Sequence, residues 1–115
     1  MSGIVFFNTR ILSDLMEFYT EKIGMEVWLQ QEDCTVLKHG NMLLGFCTRQ
    51  ETGSAGMITF VYRTQREVDE MYHRIMDIAT TSPRKNEKYD IYQFFAQDPE
   101  GRVLEFQCFF HPVIL

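Results

Sequence analysis

The sequence has few of the features that mark membrane, nucleic-acid-binding or disulfide-rich proteins. No apolar stretch approaches the roughly 20 residues that a membrane-spanning helix needs. The 11 basic residues are outnumbered by 16 acidic ones and form no run, which argues against nucleic acid or an anionic membrane as a partner. The three cysteines are widely spaced and include no CxxC pair. We therefore expect reduced, mostly buried thiols rather than a disulfide or a metal cluster.

The composition is that of an ordinary globular protein. A chain of 115 residues fits a single domain, and 45% apolar with 23% charged residues is well clear of disorder. Ten Phe, five Tyr and seven Met are enough to fill a core and also to line an apolar ligand surface. Residues 1–4 enter an apolar run with no basic leader or cleavage-site pattern, so we expect a cytoplasmic protein.

The first half of the chain is predicted to contain a strand, a helix and three further strands. The first strand is the apolar run at residues 4–7. The helix should begin at Ser13, whose hydroxyl can cap free backbone amides, and should end at Gly24. Alternating or β-branched runs predict the other three strands at residues 25–30, 34–39 and 42–48.

The second half repeats this order after a polar linker at about residues 50–56. A strand is predicted at residues 57–62, followed by a helix that Thr64 and Glu67 open as a capping box. Residues 80–88 are predicted to be a loop that can hold a short edge strand, with Arg84 and Lys85 in solvent. Two last strands, at 91–97 and 102–110, flank the turn at residues 98–101. The matched order predicts two modules, at about 1–49 and 57–115.

Two stretches carry a family resemblance. Residues 18–27 read FYTEKIGMEV, and residues 95–106 read FAQDPEGRVLEF. The first resembles the opening-helix signature, and the second the closing hairpin, of the vicinal oxygen chelate superfamily of glyoxalases, bleomycin-resistance proteins and extradiol dioxygenases. The resemblance covers nearly the whole chain. It implies an α+β fold in which two tandem βαβββ modules form a half-open mixed β-barrel with helices outside and a cleft inside, and it implies a homodimer.

The same resemblance locates the metal site that many superfamily members have. Their ligands lie on the first and last strands of each half, which correspond here to Ile4, Gly45, Met57 and Glu105. Only Glu105 offers a hard ligand, whereas a zinc site needs three or four protein ligands. We therefore expect no cofactor and no bound divalent metal.

Alternation of side chains along strands assigns the remaining cleft residues. The inward set is mostly apolar with a few polar groups, as in small-molecule pockets. Glu105 is the candidate catalytic residue, as a general base, or else a relic paired with a polar neighbour or water. Phe6, Cys47 and Met57 also fit plain core positions. The predicted ligand-binding residues are Phe6, Asn8, Leu43, Gly45, Cys47, Met57, Thr59, Tyr92, Glu105 and Gln107.

Three functions are compatible with these observations. The first is a metal-free protein that binds a small, largely apolar or aromatic molecule in its cleft. The second is a lyase or dioxygenase that depends on a divalent metal to polarise adjacent substrate oxygens. The third is a scaffold dimer without a small-molecule ligand. Whether the protein is an enzyme stays open at this point, because the fold alone does not decide it.

Overall fold

The computed structural model describes residues 3–113. The chain forms two compact units, one ending at Ala55 and the other beginning at Gly56. Each unit contains a strand, a helix and three further strands, which confirms the two βαβββ modules and the α+β class. That the two units together form a single domain stays a prediction. In the described part of the chain, no helix is long and apolar enough to cross a membrane.

Unit one is a four-stranded mixed sheet with one helix. The sheet order is β1-β4-β3-β2, with β1 parallel to β4 and the other pairs antiparallel. The first strand runs two residues further than predicted, and the other three agree with prediction to within one residue. The elements are β1 (Ile4–Thr9), α1 (Leu12–Glu17, continued by a wider π-helical segment, Phe18–Ile23), β2 (Glu26–Gln30), β3 (Cys34–His39) and β4 (Met42–Thr48).

The first helix begins differently from the prediction and ends as predicted. It starts at Leu12, and no side chain caps it, so the predicted cap by Ser13 is wrong. The hydroxyl of Thr9 instead accepts a hydrogen bond from the backbone N–H of Ile11 at 3.0 Å. At the other end Gly24 has a φ of 91°, a left-handed conformation that glycine adopts without the steric cost of a Cβ.

Unit two repeats this topology, with sheet order β5-β8-β7-β6 and β5 parallel to β8. The capping box is confirmed: the Thr64 hydroxyl accepts from the Glu67 amide at 3.1 Å, and the Glu67 carboxylate accepts from the Thr64 amide at 3.2 Å. The elements are β5 (Met57–Tyr62), α2 (Gln65–Ile75, followed by a 3₁₀ turn, Met76–Ile78), β6 (Arg84–Asn86), β7 (Ile91–Gln97) and β8 (Val103–Phe109).

The core of each unit lies between its helix and one face of its sheet. In unit two the rings of Phe60, Phe106 and Phe94 form a stack with centroid separations of 5.1 and 4.9 Å. In unit one Tyr19 of the π-helical segment stacks on Phe46 of β4 at 5.0 Å. The Phe94 ring also contacts the Tyr72 ring of α2 at a centroid separation of 5.3 Å, so the stack lies on the helix-facing side of the sheet. The opposite face of each sheet points away from its helix.

The closing hairpin of unit two contains a buried ion cluster. The Arg102 side chain is 1% exposed, and its Nη1 donates to Asp98 Oδ2 at 3.0 Å and to Glu100 Oε1 at 2.9 Å. The other oxygen of Asp98 accepts from the backbone amides of Glu100 and Arg102. Gly101 completes the turn with a φ of 82°. The sequence indicated the turn but not that its arginine is buried.

The cysteines differ from the prediction. Cys34 and Cys47 form a disulfide, so the expectation of reduced thiols is wrong for these two residues. They lie directly opposite each other in the β3–β4 ladder, with their Cα atoms 4.1 Å apart, which brings the two sulfur atoms together. Cys108 is a free, buried thiol, as expected, and burial raises its pKa.

The edge strand β2 of unit one is exposed along its whole length. Val27, Trp28 and Leu29 are 52%, 50% and 41% exposed, so the edge presents an apolar surface. A bulge between Val27 and Leu29 interrupts the ladder with β3. An unpaired apolar edge of this kind is available for contact with another chain.

Candidate functional site

The two units place corresponding pairs of residues on their parallel strands. In unit one Phe6 of β1 lies opposite Gly45 of β4, and in unit two Thr59 of β5 lies opposite Glu105 of β8. Gly45 and Glu105 therefore occupy the same place in their respective units. The chemistry at the two places is nevertheless different.

In unit one this place is filled by an aromatic ring. The Phe6 ring lies so close over Gly45 that a Cβ on residue 45 would clash with its Cδ1 and Cε1 atoms. Gly45 is buried, while Phe6 is 52% exposed. The space above Gly45 is thus occupied by the chain's own side chain, and neither residue offers a donor atom to a metal. What remains is a half-exposed aromatic surface.

Substitution of Gly45 with alanine is expected to displace the Phe6 ring and to lower the free energy of unfolding by about 1 kcal/mol. The cost should be at the low end for overpacking because Phe6 can turn towards solvent. Urea denaturation of Gly45→Ala in the wild-type and Phe6→Ala backgrounds measures the coupling. Gly3→Ala is the control, since nothing lies within 4 Å of a Cβ there. An equal cost of Gly45→Ala in both backgrounds would contradict the contact.

In unit two the same place holds a buried carboxylate surrounded by donors. Glu105 is 5% exposed. Its Oε1 accepts from Thr59 Oγ1 at 2.8 Å and from Gln107 Nε2 at 3.3 Å, and its Oε2 accepts from Gln93 Nε2. A buried charge needs such hydrogen bonds to offset its lost hydration. The carboxylate is therefore held by three side chains from β5, β7 and β8.

The hydrogen bonds continue outward from Glu105 as a directed chain. Gln93 Oε1 accepts from Asn86 Nδ2 at 2.8 Å, and Asn86 Oδ1 accepts from the backbone amides of Lys88 and Tyr89 at 3.1 and 3.4 Å. In each of these hydrogen bonds the donor is the group further from Glu105. This series of hydrogen bonds therefore fixes the turn between β6 and β7 relative to the Glu105 carboxylate.

The residues present do not fit a divalent metal. The other three positions implied by the superfamily are Ile4, Gly45 and Met57, and the donor hydrogens around Glu105 point at the oxygens that a metal would need. Across residues 3–113, no three His, Cys, Asp or Glu side chains come together as a possible metal site. We therefore derive no chemistry through a metal ion.

A cavity of about 540 Å³ lies beside Glu105 within unit two. Its apolar walls are formed by Met57, Tyr89, Ile91 and Phe95. Polar groups from the hydrogen-bonded chain, namely Glu105, Gln93 and Asn86, line the same cavity, together with Thr81 and Glu87. Cavities of this size with apolar walls and a few convergent polar groups are typical small-molecule sites.

Arg84 and Lys85 also line this cavity, contrary to the expectation of a self-solvated loop. They belong to the edge strand β6, which pairs with β7. Lys85 Nζ lies 3.8 Å from Glu87 Oε2 and 3.6 Å from Asp90 Oδ1, so these two carboxylates offset its positive charge.

The structure brings only part of the predicted site together. Met57 and Glu105 line the cavity. Thr59 and Gln107 do not line it, but both donate hydrogen bonds to the Glu105 carboxylate. The Oε1 atom of Gln107 is buried without a hydrogen-bond partner in the described structure. Five of the other six predicted residues belong to unit one: Leu43, Gly45 and Cys47 are buried, and Phe6 and Asn8 are exposed.

Two of the predicted residues need correction. Tyr92 lies on the helix-facing side of β7, where its hydroxyl donates to Asp69 of α2 at 2.6 Å, so it does not line the cavity. Burial, together with hydrogen bonding to that carboxylate, raises the pKa of Tyr92. Cys47 is in the disulfide and has no free thiol. The neighbour of Tyr92 on β7, Gln93, faces the cavity instead, and alternation from Ile91 would have indicated it.

Comparison with known proteins identifies the fold. No family model matches the chain, and no curated protein sequence is significantly similar to it. Solved structures do match over nearly the whole chain. A glyoxalase/bleomycin resistance protein/dioxygenase from Nocardioides superposes with a TM-score of 0.77 at 16% identity, covering 100% of this chain and 89% of that one.

Two further structures support the same assignment. An integron cassette protein from the mobile metagenome of the Halifax Harbour sewage outfall gives a TM-score of 0.81 at 18% identity, with coverages of 94% and 97%. A lactoylglutathione lyase from Agrobacterium tumefaciens gives 0.76 at 19% identity, with coverages of 94% and 92%. The chain therefore has the fold of the glyoxalase/bleomycin resistance/dioxygenase proteins, which is the fold that its resemblance to the vicinal oxygen chelate superfamily predicted.

Proposed function

We propose that this protein binds a small, largely apolar or aromatic molecule in the cavity of unit two, without a divalent metal. The cavity beside Glu105 carries the proposal, because its volume of about 540 Å³ and its apolar walls suit a molecule with one or two rings. The polar groups at its base are already held in place by hydrogen bonds. A site ordered before binding loses little entropy when a ligand enters.

Glu105 acts in this proposal as a polar anchor for the ligand rather than as a metal ligand. It lines the cavity while three side chains hold its carboxylate in a single position. No catalytic step is proposed for it, since binding alone accounts for the arrangement.

We also propose that the protein is a homodimer. The exposed apolar edge strand β2 supports this, because covering Val27, Trp28 and Leu29 would remove apolar surface from water. Light scattering coupled to size-exclusion chromatography tests it. A mass equal to twice the monomer is expected, and a monomer at high concentration would contradict the proposal.

A cytoplasmic location stays a proposal that rests on the sequence. The disulfide between Cys34 and Cys47 weighs against it, because disulfides are rare in reducing compartments. Alkylation of free thiols during cell lysis distinguishes the two cases. Three labelled cysteines would fit a reducing compartment, whereas one labelled cysteine would place the protein in an oxidising one.

Indole, a small planar aromatic compound, is expected to raise the melting temperature of protein dialysed against a chelator. At ten times its Kd, indole adds about 1.4 kcal/mol to the free energy of unfolding. That corresponds to a shift of about 4 °C or more. Differential scanning fluorimetry measures the shift, and elemental analysis of protein purified without chelator is expected to show no stoichiometric metal.

A matched pair of variants locates the binding. Met57→Trp should obstruct the cavity and abolish the shift, whereas Met76→Trp should retain it because Met76 does not line the cavity. The two methionines are 51% and 53% exposed, so the substitutions are comparable. The proposal fails if indole has no effect, if Met57→Trp binds as well as wild type, or if a stoichiometric ion is found.

A further inference from the structure

We infer that the cavity of unit two selects aromatic acids that carry one N–H or O–H donor next to the carboxylate, such as aromatic α-amino or α-hydroxy acids. This rests on the proposed function and adds the ligand class. It follows from two of the charged groups that line the cavity, Arg84 and Glu105, and from the number of lone pairs left on Glu105.

Arg84 supplies a cation for the ligand's carboxylate. It pairs with Gln93 across β6 and β7, and Gln93 pairs with Gln107 of β8, so Arg84 lies on the same face of the sheet as Glu105. Among the described residues it forms no ion pair, in contrast to Lys85. An arginine fork binds a carboxylate through two parallel hydrogen bonds.

Glu105 supplies a place for a single donor. An ionised carboxylate has about four lone-pair sites. Thr59 and Gln107 occupy two sites on Oε1, and Gln93 occupies one on Oε2. One site on Oε2 is left, which suits one N–H or O–H group of a ligand. An apolar ligand would cover this site without using it, at the cost of leaving a buried acceptor unpaired.

Arg84 and Glu105 line the same cavity, so one ligand with a donor close to its carboxylate can contact both. Strands β6 and β8 are separated by β7 alone, so their backbones are roughly 10 Å apart. A ligand between the two residues would bring its donor to Glu105 and its carboxylate to Arg84. The ring of such a ligand would then contact the apolar walls formed by Met57, Ile91 and Phe95.

Four related probes test the inference by isothermal titration calorimetry. Phenylalanine and phenyllactate have both groups, hydrocinnamate lacks the donor, and phenethylamine lacks the carboxylate. We expect the better of the first two to bind about tenfold or more tightly than either incomplete probe. A preference for phenylalanine assigns an ammonium donor at Glu105, and a preference for phenyllactate assigns a hydroxyl; either supports the inference.

Variants of exposed arginines complete the test. Arg84→Gln is expected to weaken the preferred acid about tenfold and to leave phenethylamine unchanged. Arg63→Gln, an exposed arginine away from this cavity, should change neither. If hydrocinnamate binds as well as the complete acids, or Arg84→Gln binds like wild type, while indole still raises the melting temperature, this inference fails and the proposed function stands. If neither indole nor any acid binds, both fail.

Discussion

Replacing Arg102 with alanine is expected to lower the free energy of unfolding by about 3–5 kcal/mol. The change leaves the carboxylates of Asp98 and Glu100 without their cation, and their side chains are only 0% and 8% exposed. A buried charge that loses its partner retains its desolvation cost without the compensating attraction. Urea denaturation followed by circular dichroism measures the loss. The Arg102→Lys variant keeps the positive charge but not the planar guanidinium. Its free energy of unfolding should therefore lie between those of the alanine variant and the wild type.

An exposed arginine of unit two provides the control for this prediction. Arg66 forms an ion pair with Glu70 at 3.0 Å, again four residues apart, but the two side chains are 88% and 63% exposed. Arg66→Ala is therefore expected to cost less than about 0.5 kcal/mol. If Arg102→Ala costs no more than Arg66→Ala, the cluster in the closing hairpin does not stabilise the fold.

Removing the disulfide is expected to lower the free energy of unfolding by about 3 kcal/mol. The bond joins residues 13 apart in sequence and so restricts the unfolded chain, which gains conformational freedom when the link is lost. Thermal unfolding of the Cys34→Ala/Cys47→Ala variant should show a melting temperature about 12 °C or more below wild type. Reducing agent should bring the wild type to a similar value.

The third cysteine serves as the control. Cys108 is a free thiol, so Cys108→Ala should keep its sensitivity to reducing agent, whereas the double variant should be insensitive. Equal melting temperatures of the wild type with and without reducing agent would mean that the bond contributes nothing to stability.

Much of the secondary structure could be predicted because its limits are set locally. Gly40 and Asn41 are the two residues between β3 and β4, and a two-residue connection between antiparallel strands forms a tight hairpin turn. The strand β5 ends just before the cap at Thr64. The start of α1 could not be predicted in the same way, since the hydroxyl of Thr9 contacts the chain before the helix and Ser13 lies inside it.

The candidate site could be predicted only in part. Glu105 lies within the closing motif, so the resemblance located it, but the part of the cavity lined by Arg84 and Asn86 depends on the pairing of β6 with β7. The three residues of β6 are polar, as in a loop, so the sequence did not indicate Arg84 and Asn86 as cavity residues. On β7 the choice of Tyr92 over Gln93 shows how a shift of one residue turns a side chain to the other face.

The disulfide was missed although its signal is present in the sequence. The two-residue turn pairs His39 with Met42, and the ladder extended from that pair brings Cys34 opposite Cys47. The spacing along the sequence suggested isolated thiols because it does not take into account which residues lie opposite each other in the sheet. Register, rather than spacing, decides which cysteines meet.

The exposed edge strand β2 has a consequence for spectroscopy. Trp28 is the only tryptophan in the chain, and it is half exposed on that edge. The intrinsic fluorescence of the native protein therefore comes from an indole already in contact with water, and unfolding should change its emission wavelength only slightly. Burial of the edge against a second chain should shift the emission to shorter wavelength, so this one indole reports on assembly far better than on folding.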